Sequence, residues 1–272
     1  MSTQETKTKT NETAASQEDV KTEKTSVETT KEETVKASEA SVSSASGLIN
    51  ANELTLGDSF VNGDASSEES FKKLRTNLIY TDDLHVMAMT SSVPDEGKTV
   101  TTFHLAKAFA ELGKKVVLID CDLRRSSLKN MLLVNDDQPG FSEALTGQSD
   151  NFVCKTNINN LYISLTGKRP PNPSELLISG HFKKVLASLK EEFDYVIFDT
   201  PPVSAGSDAS IIGRNVDGVI LVVRNEFTKK NAVRRSVKEL EANGARVIGT
   251  VLTRVKKDSS EYGHYGYYDY YY

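Results

Sequence analysis

Nine residues, Ser91-Ser92-Val93-Pro94-Asp95-Glu96-Gly97-Lys98-Thr99, have the composition of a loop that cradles a polyphosphate. Lys98 supplies a cation for β- and γ-phosphates, and the Thr99 hydroxyl can ligate Mg²⁺. Gly97 lets backbone approach phosphate closely, and a helix starting here would aim free N–H groups and its positive end at an anion. The nucleotide-contacting candidates are therefore Ser92, Val93, Pro94, Asp95, Glu96, Gly97, Lys98, Thr99 and Val100. Ser92 stands where the usual phosphate loop has its first glycine. A solvated turn through Pro94–Gly97 is the bland reading; an apolar run before it, a helical pattern after it and two acidic motifs downstream weigh against it.

The first acidic motif is Val117-Leu118-Ile119-Asp120-Cys121-Asp122-Leu123-Arg124. Side chains alternate along a strand, so Asp120 and Asp122 should share one face while Cys121 looks away. Two carboxylates at the carboxyl edge of a parallel sheet suit holding a metal and taking a hydroxyl proton. The second is Tyr195-Val196-Ile197-Phe198-Asp199-Thr200-Pro201-Pro202, in which Asp199 is placed to support Mg²⁺. Either acid alone reads better as an ordinary strand-end carboxylate; the three motifs in this order are far more specific. Lys98, Asp120, Asp122 and Asp199 are thus the catalytic candidates, with Thr99, Asp120 and Asp199 the metal ligands. Arg224, after the apolar run Val219–Val223, either contacts the nucleotide base or caps its strand, and sequence favours neither.

The elements that must position these residues alternate in type. Strands are expected at Val86–Thr90, Val116–Asp120, Leu161–Leu165, Tyr195–Asp199, Gly218–Val223 and Val247–Leu252, mostly as continuous apolar runs. Such runs mark strands covered on both faces. Helices are expected over Thr99–Leu112, closed by Gly113, and over Thr228–Leu240. The pattern predicts an α/β core with a mostly parallel central sheet flanked by helices.

The 272 residues carry 33 Lys and Arg against 38 Asp and Glu, a formal charge of −5 that gives no footprint for nucleic acid. The two cysteines, Cys121 and Cys154, form no disulfide framework and no zinc or iron–sulfur spacing. No apolar stretch of about 18 residues is present, and the polar start is no secretory signal. Residues 1–47 lack Leu, Ile, Phe and Tyr and read as a disordered arm, residues 48–256 as the catalytic domain, and residues 257–272 as a mobile tail. Seven of the ten tyrosines fall in the last eleven residues: Tyr262, Tyr265, Tyr267, Tyr268, Tyr270, Tyr271 and Tyr272.

The phosphate loop, the two acidic motifs and the closing tyrosine cluster together resemble the bacterial tyrosine kinases of capsule and exopolysaccharide synthesis, over roughly residues 65–272. The resemblance implies a P-loop fold of the deviant-Walker type, ATP and Mg²⁺ as cofactors, and autophosphorylation of the tail tyrosines between subunits. One of Asp120 and Asp122 would take the tyrosine proton. It also implies a ring-like homo-oligomer built on a Glu-x-x-Arg-x-x-Arg helix. Here Glu69 and Arg75 match, but Lys72 replaces the middle arginine and lacks its planar fork. Alone, Glu69, Lys72 and Arg75 would pass for a charged helical face. Further implications are a membrane-anchored activator of the polysaccharide co-polymerase type, whose cytoplasmic tail docks on the kinase, and a cognate tyrosine phosphatase. A cytoplasmic location at the inner face of the membrane follows.

Two other functions compete. A partition- or positioning-type switch ATPase would share the core, but that class resembles a pattern with a lysine five residues before Lys98, where this chain has Val93. A nucleotide-holding adaptor that only presents its tyrosines would not need Lys98, Asp120, Asp122 and Asp199 all intact.

Overall fold

The computed structural model describes residues 47–132 and 138–255. The expected tyrosine tail, and the expected arm up to residue 46, lie outside these residues. In chain order the elements are β1 (Ile49–Leu54), α1 (Asp58–Val61), α2 (Ala65–Ile79), β2 (Val86–Ser91), α3 (Lys98–Glu111), β3 (Val116–Asp120), α4 (Leu128–Leu132), α5 (Phe141–Thr146), β4 (Val153–Thr156) and β5 (Leu161–Ser164). There follow α6 (Pro173–Ile178), α7 (Gly180–Glu192), β6 (Tyr195–Asp199), a 3₁₀ turn (Val203–Ala205), α8 (Asp208–Gly213), β7 (Gly218–Arg224), α9 (Lys230–Ala242) and β8 (Val247–Thr253).

Eight strands form one sheet in the order β1-β4-β5-β3-β6-β2-β7-β8, parallel except for the β4–β5 pair. Every residue of β2, β3 and β6 is buried, which is why these strands read as continuous apolar runs. Their alternating side chains feed two cores. Val117, Ile119, Cys121 and Leu123 pack with Phe141, Phe182 and Phe198 on one face. Val116, Leu118, Met87 and Ile197 pack with Phe103 and Phe109 of α3 on the other. Even-numbered β3 residues therefore point toward α3, the helix that follows the phosphate loop.

All six expected strands are present. The sheet adds β1 and β4 at one edge, joined in parallel with an irregular register between Ile49 and Glu53. Helix α9 starts at Lys230 rather than Thr228, because Thr228 gives its hydroxyl to the Glu96 carboxylate and Lys229 is extended at ψ 133°. Helix α3 ends as expected, with Gly113 left-handed at φ 83°. Helix α2 begins on Asp64, whose carboxylate accepts the N–H groups of Ser66 and Ser67.

The consequence for function lies in strand order. The phosphate-loop strand β2 is flanked by β6 and β7, and β3 lies on the far side of β6. The carboxyl ends of β2, β3 and β6, which carry the three motifs, thus meet at one edge where the chain reverses its direction of winding.

Candidate active site

The loop after β2 is held from the side away from the acids. Asp95 takes φ 63° and Gly97 takes φ 83°, so the turn into α3 is left-handed at two positions. Glu96 is buried, and its carboxylate accepts the Val93 N–H at 2.8 Å, the Arg224 N–H at 3.3 Å and the Thr228 hydroxyl. The Thr253 hydroxyl donates to the Glu96 carbonyl at 2.7 Å. The Glu96 carboxylate is thus spent on the loop's own shape. Of the two roles considered for Arg224, the strand-end one is visible: it closes β7, its guanidinium donates to the Asp95 carbonyl at 3.3 Å, and it lies 4.5 Å from the Phe227 ring centre.

The acids meet the loop from below. Asp120 and Asp199 are direct partners in the β3–β6 register, and both are buried. Lys98 Nζ donates to Asp199 Oδ1 at 2.5 Å and to Thr99 Oγ1 at 3.3 Å, and the Thr102 hydroxyl reaches the same Asp199 oxygen at 3.3 Å. Asp120 accepts the Ser126 hydroxyl at 2.5 Å and the Asp122 N–H at 3.1 Å. Thr99 and Ser127 share a hydroxyl contact at 2.9 Å. Burial first, and then the charge of Asp199, push the Asp120 carboxyl up to about 7. Asp122 lies past the end of β3 and is half-buried; burial raises its carboxyl as well, against the Arg125 N–H that it accepts at 2.8 Å.

Two facing carboxylates against one lysine leave the centre electron-rich, which a divalent cation would balance. The loop also has donors to spare. Helix α3 has no side-chain cap, so the N–H groups of its first turn lack an intrahelical acceptor. The Ser92 hydroxyl is buried with no hydrogen-bond partner among the described residues. Unused donors above, excess negative charge below and a lysine between them fit a polyphosphate carrying Mg²⁺.

Of the residues picked from sequence, Lys98, Thr99, Asp120 and Asp199 come together directly, and Asp122 adjoins them through the Asp120 carboxylate. The oligomer candidates divide. Glu69 and Lys72 are exposed on α2, whereas Arg75 turns onto α3 and donates to the Ala108 carbonyl at 2.7 Å, in that helix's last turn. Sequence reading passed over Ser126 and Ser127, which follow the arginines in an unremarkable serine pair. It also passed over Glu143. That buried carboxylate accepts the N–H groups of Gly140 at 2.9 Å and Lys168 at 3.1 Å and the Ser142 hydroxyl at 3.0 Å, joining the α5 entrance to the loop after β5. A buried Glu at the third position of a short helix is the only signal that could have pointed to it.

Comparison with known proteins extends this geometry. Residues 87–269 match the family model described as the CobQ/CobB/MinD/ParA nucleotide binding domain. The tyrosine-protein kinase CpsD of Streptococcus agalactiae is 35% identical over 213 residues, covering 77% of this chain and 92% of that protein. The tyrosine-protein kinase YwqD of Bacillus subtilis is 33% identical over 204 residues, covering 73% and 86%. Among solved structures, the kinase domain of the Escherichia coli tyrosine kinase ETK superposes with a TM-score of 0.68 at 30% identity, over 82% of this chain and 88% of that one. On this likeness, which spans the phosphate loop and both acidic strands, the chain belongs to the bacterial tyrosine kinases of capsule and exopolysaccharide synthesis.

Proposed function

We propose that this chain is a protein-tyrosine autokinase that moves the γ-phosphate of MgATP onto tail tyrosines, from one subunit to another. The observation that supports it most is the register pair Asp120–Asp199 closed by Lys98 beneath an uncapped helix start. Bound MgATP supplies the phosphoryl group and the divalent charge. The chain's own residues do the rest. Loop N–H groups and Lys98 would hold the phosphates, and Thr99, Asp120 and Asp199 would hold the metal. No group of three or more His, Cys, Asp or Glu among the described residues could hold a metal by itself, so Thr99, Asp120 and Asp199 would hold Mg²⁺ only together with phosphate and water oxygens.

Asp120 or Asp122 takes the proton of the incoming tyrosine hydroxyl as its oxygen bonds to phosphorus and the bond to ADP breaks. Asp120 is the better placed to sense the metal, since it faces Asp199; Asp122, half-buried at the mouth, is the better placed to meet the acceptor. The acceptors are Tyr262, Tyr265, Tyr267, Tyr268, Tyr270, Tyr271 and Tyr272.

Membership of the family supports a particular setting. No helix among the described residues is long and apolar enough to cross a membrane. Activation by a membrane-anchored co-polymerase tail, a ring of subunits, removal of phosphate by a tyrosine phosphatase and a place at the inner membrane face complete the reading. The pathway role is control of polysaccharide polymerisation and export. A mixing experiment tests the central step. Wild-type chain and a mass-tagged Lys98→Met chain are incubated with MgATP and an activator tail, and phosphate is sought on the Lys98→Met chain. Phosphotyrosine there shows transfer between subunits, phosphate on the wild-type chain alone would mean transfer within one subunit, and none on either chain with ATP still hydrolysed would support a switch ATPase instead.

A further inference from the structure

Arg124, Ser174 and Asp208 close a ring of hydrogen bonds at the carboxyl edge of the sheet. Arg124 Nε donates to Asp208 Oδ2 at 3.0 Å, and Arg124 Nη2 donates to Ser174 Oγ at 2.9 Å. The Ser174 hydroxyl donates to Asp208 Oδ1 at 2.5 Å. The Asp208 side chain is only 1% exposed, whereas that of Arg124 is 41% exposed. A carboxylate so far from water is costly unless a cation and hydrogen bonds satisfy it, and the ring supplies both.

The three residues come from three loops. Arg124 follows β3, Ser174 begins α6 after β5, and Asp208 begins α8 after β6. Two of these loops leave the strands that end in Asp120 and Asp199. The link from Arg124 back to the acids is short. Asp122 donates its N–H to Asp120, and Arg125 donates its N–H to Asp122, so residues 120–125 form a tight turn with the Arg124 side chain as its outer anchor. Fixing that guanidinium fixes the turn on which the Asp122 carboxylate rides.

We propose that Asp208 is a positioning residue for phosphoryl transfer: acting through Arg124, it sets the turn that presents Asp122 to the acceptor and locks it to the loops after β5 and β6. The inference rests on the kinase reading above. A plain staple for the fold would lower stability and nucleotide binding together; a positioning residue lowers transfer while the phosphate loop, anchored from the β7–β8 side, still binds nucleotide.

The test uses the full chain and its Asp208→Asn, Arg124→Gln and double variants. Transfer to a tagged Lys98→Met chain, affinity for MgADP and Tm are measured for each. Wild-type transfer is the control, and its absence would count against the kinase reading rather than this one. With transfer established, Asp208→Asn should slow it about tenfold or more and leave MgADP affinity within about threefold. The double variant should be no slower than the slower single, since both changes cut one connection. Undiminished transfer in Asp208→Asn, a parallel loss of MgADP affinity, or losses that multiply in the double variant would each overturn the proposal. If Asp208→Asn does not fold, Ser174→Ala decides: it removes one hydrogen bond to each partner from a half-buried site and should still reduce transfer several-fold, and unreduced transfer would overturn the proposal.

Discussion

Asp120 meets two opposing demands. In the nucleotide-free protein, burial and the facing Asp199 hold its carboxyl near 7, yet a proton acceptor or metal partner must be ionised. Its usual value is 3.8. Below that, folded and unfolded chains are both protonated there and its burial carries no penalty. As pH rises toward about 7, the unfolded chain releases the proton while the folded chain keeps it, so stability falls through that window. Thermal melts of nucleotide-free protein from about pH 5 to 8 should therefore slope downward, and Asp120→Asn should flatten the slope; parallel curves would contradict the assignment. The same variant should lower the transfer rate by about 10²-fold or more while MgADP affinity changes far less, as titration beside single-turnover transfer would show. Lys98→Met should abolish transfer while the chain still folds, with a lower Tm because the buried Asp199 carboxylate loses its cation. Cys121, packed among Val117, Ile119 and Leu123 on the opposite face, should tolerate Ala with transfer retained.

At the scale of elements, the loops beyond the carboxyl ends of the strands are packed tightly against one another. Gly140 and Gly167 pack so closely that a Cβ on Gly140 would lie 2.3 Å from the Gly167 nitrogen, a backbone atom that no rotamer change relieves. Gly113 is also left-handed but has open space around it. Gly140→Ala should accordingly lower Tm clearly more than Gly113→Ala, which costs about 1–2 kcal/mol through φ alone; equal melting shifts would refute the close packing. Much of this architecture was legible in sequence. Strands such as Val116–Asp120 announce themselves because both faces are covered, and the phosphate loop is local in the chain. The edge strands were not legible: Ile49–Leu54 is half polar and Val153–Thr156 has four residues, so neither shows a period. Nor were the anchors, because Glu143 reaches Lys168 25 residues away and Arg124 reaches Asp208 84 residues away, pairings that only the fold creates.

For the whole molecule, transfer to a neighbour's tail requires subunits that lie close together. Helix α2 leaves Glu69 and Lys72 exposed, while Arg75 is already bound to α3. Lys72→Arg, by restoring a planar fork at the exposed position, should raise the mass of the assembly at a given concentration in light scattering; an unchanged mass would remove Lys72 from the contact. Each phosphate placed on the tail would add about −1.5 to −2 charge to a chain that already carries −5, which would favour loosening of any such assembly. The measurement that tests the central claim most directly is tandem mass spectrometry of the purified chain after MgATP, with an activator tail present, beside Lys98→Met. Phosphate on tyrosines within 262–272 of the wild type alone is the predicted result. Hydrolysed ATP with an unmodified tail, or an equally phosphorylated Lys98→Met tail, would contradict it.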